Sequence, residues 1–178
     1  THSELVYLLD LGSGKFRTDS ETVQAPALGV TDISVLSRFE KLKLLNISNN
    51  SVTDLGPLST VMTIEEADCS DNMILSLDGF RSHTLLKKLN MNSNNLTGLG
   101  GLTGCTGLTE LHAAHNKNLI DISGIAADTA LTFLDLSYTG IKDVAALAGL
   151  LNLTTLKLEG CAVVDLSPLY ALGGLKEL

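Results

Sequence analysis

Tryptophan is absent from this sequence, and aromatic residues fill only 4% of its 178 positions while hydrophobic residues fill 44%. The core must therefore be built from aliphatic side chains, in one buried globule or one elongated array at this length. Positive charge is scarce as well. Twelve Lys and Arg face 20 Asp and Glu, for a net charge of −8. A nucleic-acid surface needs clustered Lys and Arg, and adsorption to an anionic membrane needs the same, so neither is an expected partner. The acidic balance leans toward basic partners instead. Cysteine is limited to Cys69, Cys105 and Cys161, with no C-x-x-C and one thiol left over under any pairing. That reads as reduced thiols in a cytoplasmic setting. No run approaches the roughly 18–20 apolar residues of a membrane span; the longest near-apolar stretch, VAALAGLLNL, is broken by Gly149 and Asn152. The chain opens THSEL, without Met or an apolar signal region, and reads as cut from something larger.

What the sequence does contain is a period. In LKLLNISNNSVTDLGPL, residues 42–58, apolar residues alternate for a few positions, an asparagine intervenes, and a spacing of three follows. Asn50, Asn72, Asn94, Asn116, Thr139 and Cys161 stand in the same context, at steps of 22, 22, 22, 23 and 22 residues. The longer step is one extra residue after Asn116, where NKNL replaces N-x-L. A regular period this short marks a solenoid. In segments such as LNI and LDL the flanking apolar residues point inward from a short strand and the middle residue points out. One strand per repeat then stacks in parallel on the next, about 4.8 Å away. The asparagine turns the chain out of the sheet, and its amide can satisfy backbone groups that leave the ladder there. Thr139 and Cys161 can make fewer such bonds, so their turns are expected to be looser. Asp32, Asp54, Asp121, Asp143 and Asp165 share one position in the second half of the repeat, with Ser76 standing in and Gly98 the exception; each reads as an N-cap. Pro57 and Pro168 pre-set φ in the same half.

These segments resemble the leucine-rich repeat family, whose pattern L-x-x-L-x-L-x-x-N/C-x-L they match from about residue 42 to 178. The 22-residue period with TDLGPL or VDLSPL second halves is similar to the short subclass of a nuclear phosphatase regulator and of bacterial internalins. The resemblance implies an α/β repeat solenoid: a right-handed horseshoe with a parallel concave sheet and short 3₁₀ or irregular convex turns, too short for long helices. Residues 40–178 form the repeats, six full and one begun at Leu175. Residues 1–39 are expected to be a cap or degenerate opening repeats, since end repeats must shield an exposed core. Within them Val30, Ile33, Leu36 and Phe39 fit the second half of a repeat, while Pro26 and Leu28 spoil the first. LVYLLDLGSGKF reads as another strand that puts Leu8 in the outward column of Leu44. The C-terminus carries no cap of its own, and Leu175 and Leu178 point to further residues.

Chemistry is thin. GSGK, Gly12 to Lys15, lacks the first Gly of a phosphate loop and has Phe16 where Ser or Thr would reach Mg²⁺; a turn is the better reading. His112 and His115, with Asp68 and Asp135 in the strand slot of His112, could ligate Zn²⁺, but a solvated polar surface accounts for them without a metal. NIS, NNS and two NLT triplets match glycosylation acceptors that Asn- and Thr-rich repeats produce by chance. No cofactor and no enzyme activity is expected, because nothing builds a pocket or an oxyanion hole.

A concave face remains, and solenoids use such faces for binding. Its outward positions include Leu44, Asn46, Glu66, Asp68, Asp71, Lys88, Asn90, Glu110, His112, His115, Phe133, Asp135, Tyr138, Lys157 and Glu159, with Ser48, Ser70, Asn92, Ala114 and Ser137 between them. Phe133 and Tyr138 stand out because rings are rare here and neither occupies a core slot. The expected function is a non-catalytic protein–protein interaction module, a scaffold or adaptor, that meets a basic or amphipathic segment of a protein partner. The resemblance implies phosphatase regulation or cytoskeletal scaffolding in the cytoplasm. The alternative is an extracellular internalin-like adhesin or receptor fragment.

Overall fold

The computed structural model describes residues 6–178, so the first five residues of the expected cap lie outside the described part. The described residues form two sheets. Strands β1 (Leu8–Leu11) and β2 (Gly14–Arg17) form an antiparallel hairpin. Strands β3 (Thr22–Gln24), β4 (Leu44–Asn46), β5 (Glu66–Asp68), β6 (Lys88–Asn90), β7 (Glu110–His112), β8 (Phe133–Asp135) and β9 (Thr155–Lys157) form a seven-stranded parallel sheet in chain order. Each strand of the parallel sheet returns to the next through a 3₁₀ turn, from Ser34–Arg38 to Ala145–Leu147, and one more, Ser167–Leu169, follows β9.

The hairpin corrects the reading of the first segment. Leu8 pairs with Arg17 in the hairpin rather than standing beside Leu44. Alternation suits either kind of strand, but Gly12 and Ser13 make a two-residue turn with positive φ at Gly12, which reverses the chain at once. Leu11 is buried by it. Pro26 and Leu28 do not interrupt the parallel sheet. Ala25 N and Ala27 N donate to Asn46 O and Ser48 O, so the position of Pro26 needs no donor. Leu28 stands at the asparagine position, and its own N–H donates to Asn50 Oδ1.

Inward slots fill one continuous core, aliphatic apart from Phe39, Phe80 and a few sulfur side chains, and Leu89 is 1% exposed, as its register requires. Cys69 and Cys105 are buried in it as small apolar groups. The asparagines join neighbouring repeats. Asn72 Nδ2 donates to Ile47 O at 2.9 Å in the preceding repeat and to Cys69 O in its own, while Oδ1 accepts from Val52 N. Asn50, Asn94 and Asn116 repeat the pattern. The Asp positions differ from the expected N-caps by one residue. Asp32, Asp54, Asp121, Asp143 and Asp165 accept from the amide two residues on, as Asx turns do. The cap position itself falls to Ile33, Leu55 and their equivalents, which make no side-chain cap bond.

Candidate protein-binding face

The register of the parallel strands sets the outward side chains in columns. Leu44, Glu66, Lys88, Glu110, Phe133 and Thr155 form the first; Asn46, Asp68, Asn90, His112, Asp135 and Lys157 form the second. The third column, read as outward, is mostly buried: Ser48, Ser70, Ala114 and Ser137 are covered. The second column covers them and holds them. Asp68 Oδ1 accepts from Ser70 N and Oγ, and Asp135 Oδ1 from Ser137 N. Asn46 and Asn90 do the same for Ser48 and Asn92. Asp68 is thus part of the strand exit as well as of the surface, so replacing it with Lys would disturb the fold.

The fourth column carries a backbone feature that pattern reading missed. Ala27, Asn49, Asp71, Ser93, His115 and Tyr138 all have φ between 53° and 58°. Asn and Asp accept this left-handed conformation, and a bulky Tyr rarely does. Each residue is held there because its N–H donates to a carbonyl of the following repeat, His115 to Ser137 O and Tyr138 to Glu159 O. As a result the rings of His115 and Tyr138 stack, 4.8 Å apart and 12° from parallel. In the first two columns, beyond the covered third, His112 lies against Phe133, with centroids 4.6 Å apart, and Lys157 Nζ stands 5.6 Å above that same Phe133 ring. Two ring pairs therefore bridge the repeats of β7 and β8, one within the strands and one just past their ends.

Acidic groups flank them. Glu110 accepts from His112 Nε2 at 2.8 Å and lies 3.8 Å from Lys88 Nζ. Tyr138 donates its hydroxyl to Glu159, which raises the phenol above its ordinary range by stabilising the protonated form. Toward the N-terminus the sheet leaves a hollow of about 320 Å³ lined by Gln24, Leu44, Asn46, Glu66, Asp68, Lys88, Asn90, Glu110 and His112. Gln24 was not among the expected residues; counting 22 back from Asn46 would have found it. The imidazoles that suggested a metal are engaged with Glu110, Phe133 and Tyr138, and the described residues hold no group of three or more His, Cys, Asp or Glu placed to bind an ion. No described helix is long and apolar enough to cross a membrane.

Comparison with known proteins agrees with this geometry. The family described as Leucine Rich repeats (2 copies) matches residues 84–127. The structure of an internalin, inlF, from Listeria monocytogenes superposes with a TM-score of 0.86 at 25% identity, covering 92% of this chain and 49% of that one. Internalin C2 from the same organism gives 0.82 at 29% identity, covering 89% and 70%. The plant peptide hormone receptor RGFR1, in complex with RGF2, shares the fold with a TM-score of 0.71 at 17% identity, covering 88% of this chain and 31% of that one. The chain spans about half the length of the inlF structure. No curated protein matches it.

Proposed function

We propose that this protein, a leucine-rich-repeat solenoid, is a non-catalytic interaction module that receives a basic or amphipathic protein segment across its concave sheet. The observation that carries the reading is that His112 both lines the acidic hollow around Glu66 and Asp68 and packs on Phe133, with the stacked His115 and Tyr138 further along the same two repeats. Basic residues of the partner meet the hollow, and an apolar side chain meets the rings. Charges set association rate and salt dependence, while buried rings set residence time. RGFR1 is described in complex with RGF2, which supports a polypeptide partner.

Selection from a random peptide display library tests this. Enriched peptides are expected to lose about tenfold or more in affinity with Phe133→Ala, and to associate more slowly with Glu66→Lys. Lys142→Glu, outside the sheet, should leave both unchanged. Peptides indifferent to both concave substitutions would overturn the reading.

The finer role we propose is that of a cytoplasmic scaffold or adaptor, phosphatase-regulatory or cytoskeleton-associated. An extracellular adhesin is the second reading, favoured by the likeness to two internalins. Buried thiols at Cys69 and Cys105 are shielded from oxidants in any compartment, so these two cysteines do not separate the readings. Fractionation of cells expressing the native gene does: recovery with the cytosol supports the scaffold, and recovery from the surface or medium the adhesin.

A further inference from the structure

At or just past the ends of the 3₁₀ turns, one core column holds Phe39, Val61, His83, Cys105, Asp128, Leu150 and Leu172, all buried. Three polar members follow one another in successive repeats. His83 Nε2 lies 3.1 Å from Leu58 O, and Cys105 Sγ donates to Phe80 O at 3.1 Å. Each therefore meets the carbonyl of the 3₁₀ turn in the preceding repeat. Asp128 is 0% exposed, yet neither carboxyl oxygen has a hydrogen-bond partner among the described residues. The carbonyl at the equivalent place before it is Leu102 O, which already accepts from Cys105 N as Phe80 O does from His83 N. An ionised carboxylate has nothing to give a carbonyl; a protonated one does.

We infer that Asp128 is held in the fold as a neutral carboxylic acid that donates its proton to Leu102 O, and that losing this proton loosens the turn leading into β8. Burial alone pushes the group up to about 6. The titratable group facing it from the preceding repeat is the Cys105 thiol, itself pushed up to about 11 by burial and neutral throughout the range that matters. Arg81 acts on that thiol from beyond it, His83 lies one repeat further back, and Leu150 holds the same column position on the other side. The amides that hold the turn run from Asp128 N to Ile125 O and from Leu131 N to Asp128 O. Two residues after Leu131 the chain enters β8 at Phe133.

Raising a carboxyl above its unfolded value of about 3.9 gives stability that is complete below that pH and is lost as pH rises through the folded value. The fold is therefore tightened by mild acid at this position, between about pH 4 and 7. The direct measurement is the titration of the Asp128 carboxyl carbon by NMR, which should move well above the usual carboxylate range. In parallel, melting is compared between pH 4.5 and 8 for wild type, Asp128→Asn, whose amide can donate to Leu102 O, and Asp128→Leu, which matches Leu150. Both variants should melt at or above wild type at pH 8 and lose that advantage at pH 4.5. Exchange protection of the Leu131 amide should fall with pH, after correction for intrinsic rates, in wild type only. An Asp128 carbon titrating near 4, or a wild type more stable than both variants at pH 8, overturns the inference by requiring a partner for the ionised form.

Discussion

The four asparagine rungs and the two rungs that follow them occupy one repeat position and do different work. Asn72, Asn94 and Asn116 each bridge two repeats, donating to a carbonyl 25 residues back and accepting from an amide 20 residues back. Thr139 Oγ1 reaches Leu136 O in its own repeat and touches Cys161 Sγ at 3.3 Å; Cys161 Sγ returns to Leu136 O. The extra residue after Asn116 explains where the series stops. In the NKNL turn Leu119 N donates to Asn116 O at 3.0 Å. The amide that an asparagine at 139 would serve is already satisfied. A one-residue change in loop length has thus removed the need for a side-chain rung at 139, and with it one tie between repeats, while Cys161 keeps a single bond to a carbonyl 25 residues back.

In a solenoid, stability is close to a sum over repeats and their nearest interfaces, so the two regions should answer the same substitution differently. The largest effects are in the core. Leu89→Ala, enclosed between strands on both sides, should cost about 2–5 kcal/mol in chemical denaturation. Leu156→Ala, in the last named strand of the sheet, should fall at or below the low end, since a site that can collapse costs less. Equal costs would mean that the two regions are equally rigid. Next come the rungs. Asn94→Ala leaves Ile74 N without its acceptor and removes one of the donors to Cys69 O, Met91 O and Asn92 O, and should cost about 1–3 kcal/mol, whereas Cys161→Ala should cost about 1 kcal/mol or less. A cost at Cys161 as large as that at Asn94 would break the comparison.

The period, the inward slots and the rungs were all legible in the sequence, because each depends on residue type at a fixed spacing. Other features depend on what the chain meets after folding. The hairpin at residues 8–17 carries the alternation of any strand, and only the Gly12–Ser13 turn gives away its direction. The left-handed conformation of Tyr138 runs against its own preference and is imposed by the bond to Glu159 O. The concave face was legible as a set of columns, yet the pairing of His115 with Tyr138 follows from that backbone conformation and not from spacing. Asp128, in GIAADTAL, looks like a loop residue until it is aligned with Cys105 and Leu150. Its burial is a property of the column.

A smaller effect sharpens the account of why the rungs stop. Thr139→Asn alone should change stability by about 0.5 kcal/mol or less, because Leu119 N keeps Asn116 O as its acceptor. Removing Lys117 restores the 22-residue step and frees that amide, at some cost by itself. Combined with Thr139→Asn, the two changes should couple favourably by about 1 kcal/mol in a double-mutant cycle. Additivity of the two would show that loop length and rung are independent, and the explanation would fail.

The smallest effect compares the ends through one shared device. Asp32 and Asp165 close the same Asx turn at opposite ends of the stack, and both carboxyls are held below their ordinary value. At Asp32 the largest cause is the Ser34 hydroxyl, and at Asp165 it is the backbone amide of Ser167. A lowered carboxyl contributes stability that is present above its unfolded value, about 3.9, and lost as pH falls through the folded one. Both groups are at the surface, so solvent screens them and acid should open these turns locally without melting the whole array. Because the Cys161 and Thr139 rungs tie the last repeats less firmly, the Ser167 amide should lose exchange protection at a higher pH than the Ser34 amide. Amide exchange followed from pH 6 down to about pH 2 reads both positions in one experiment. Loss at Ser34 first would place the weaker end at the hairpin, and the difference between rungs would then not govern how the stack opens.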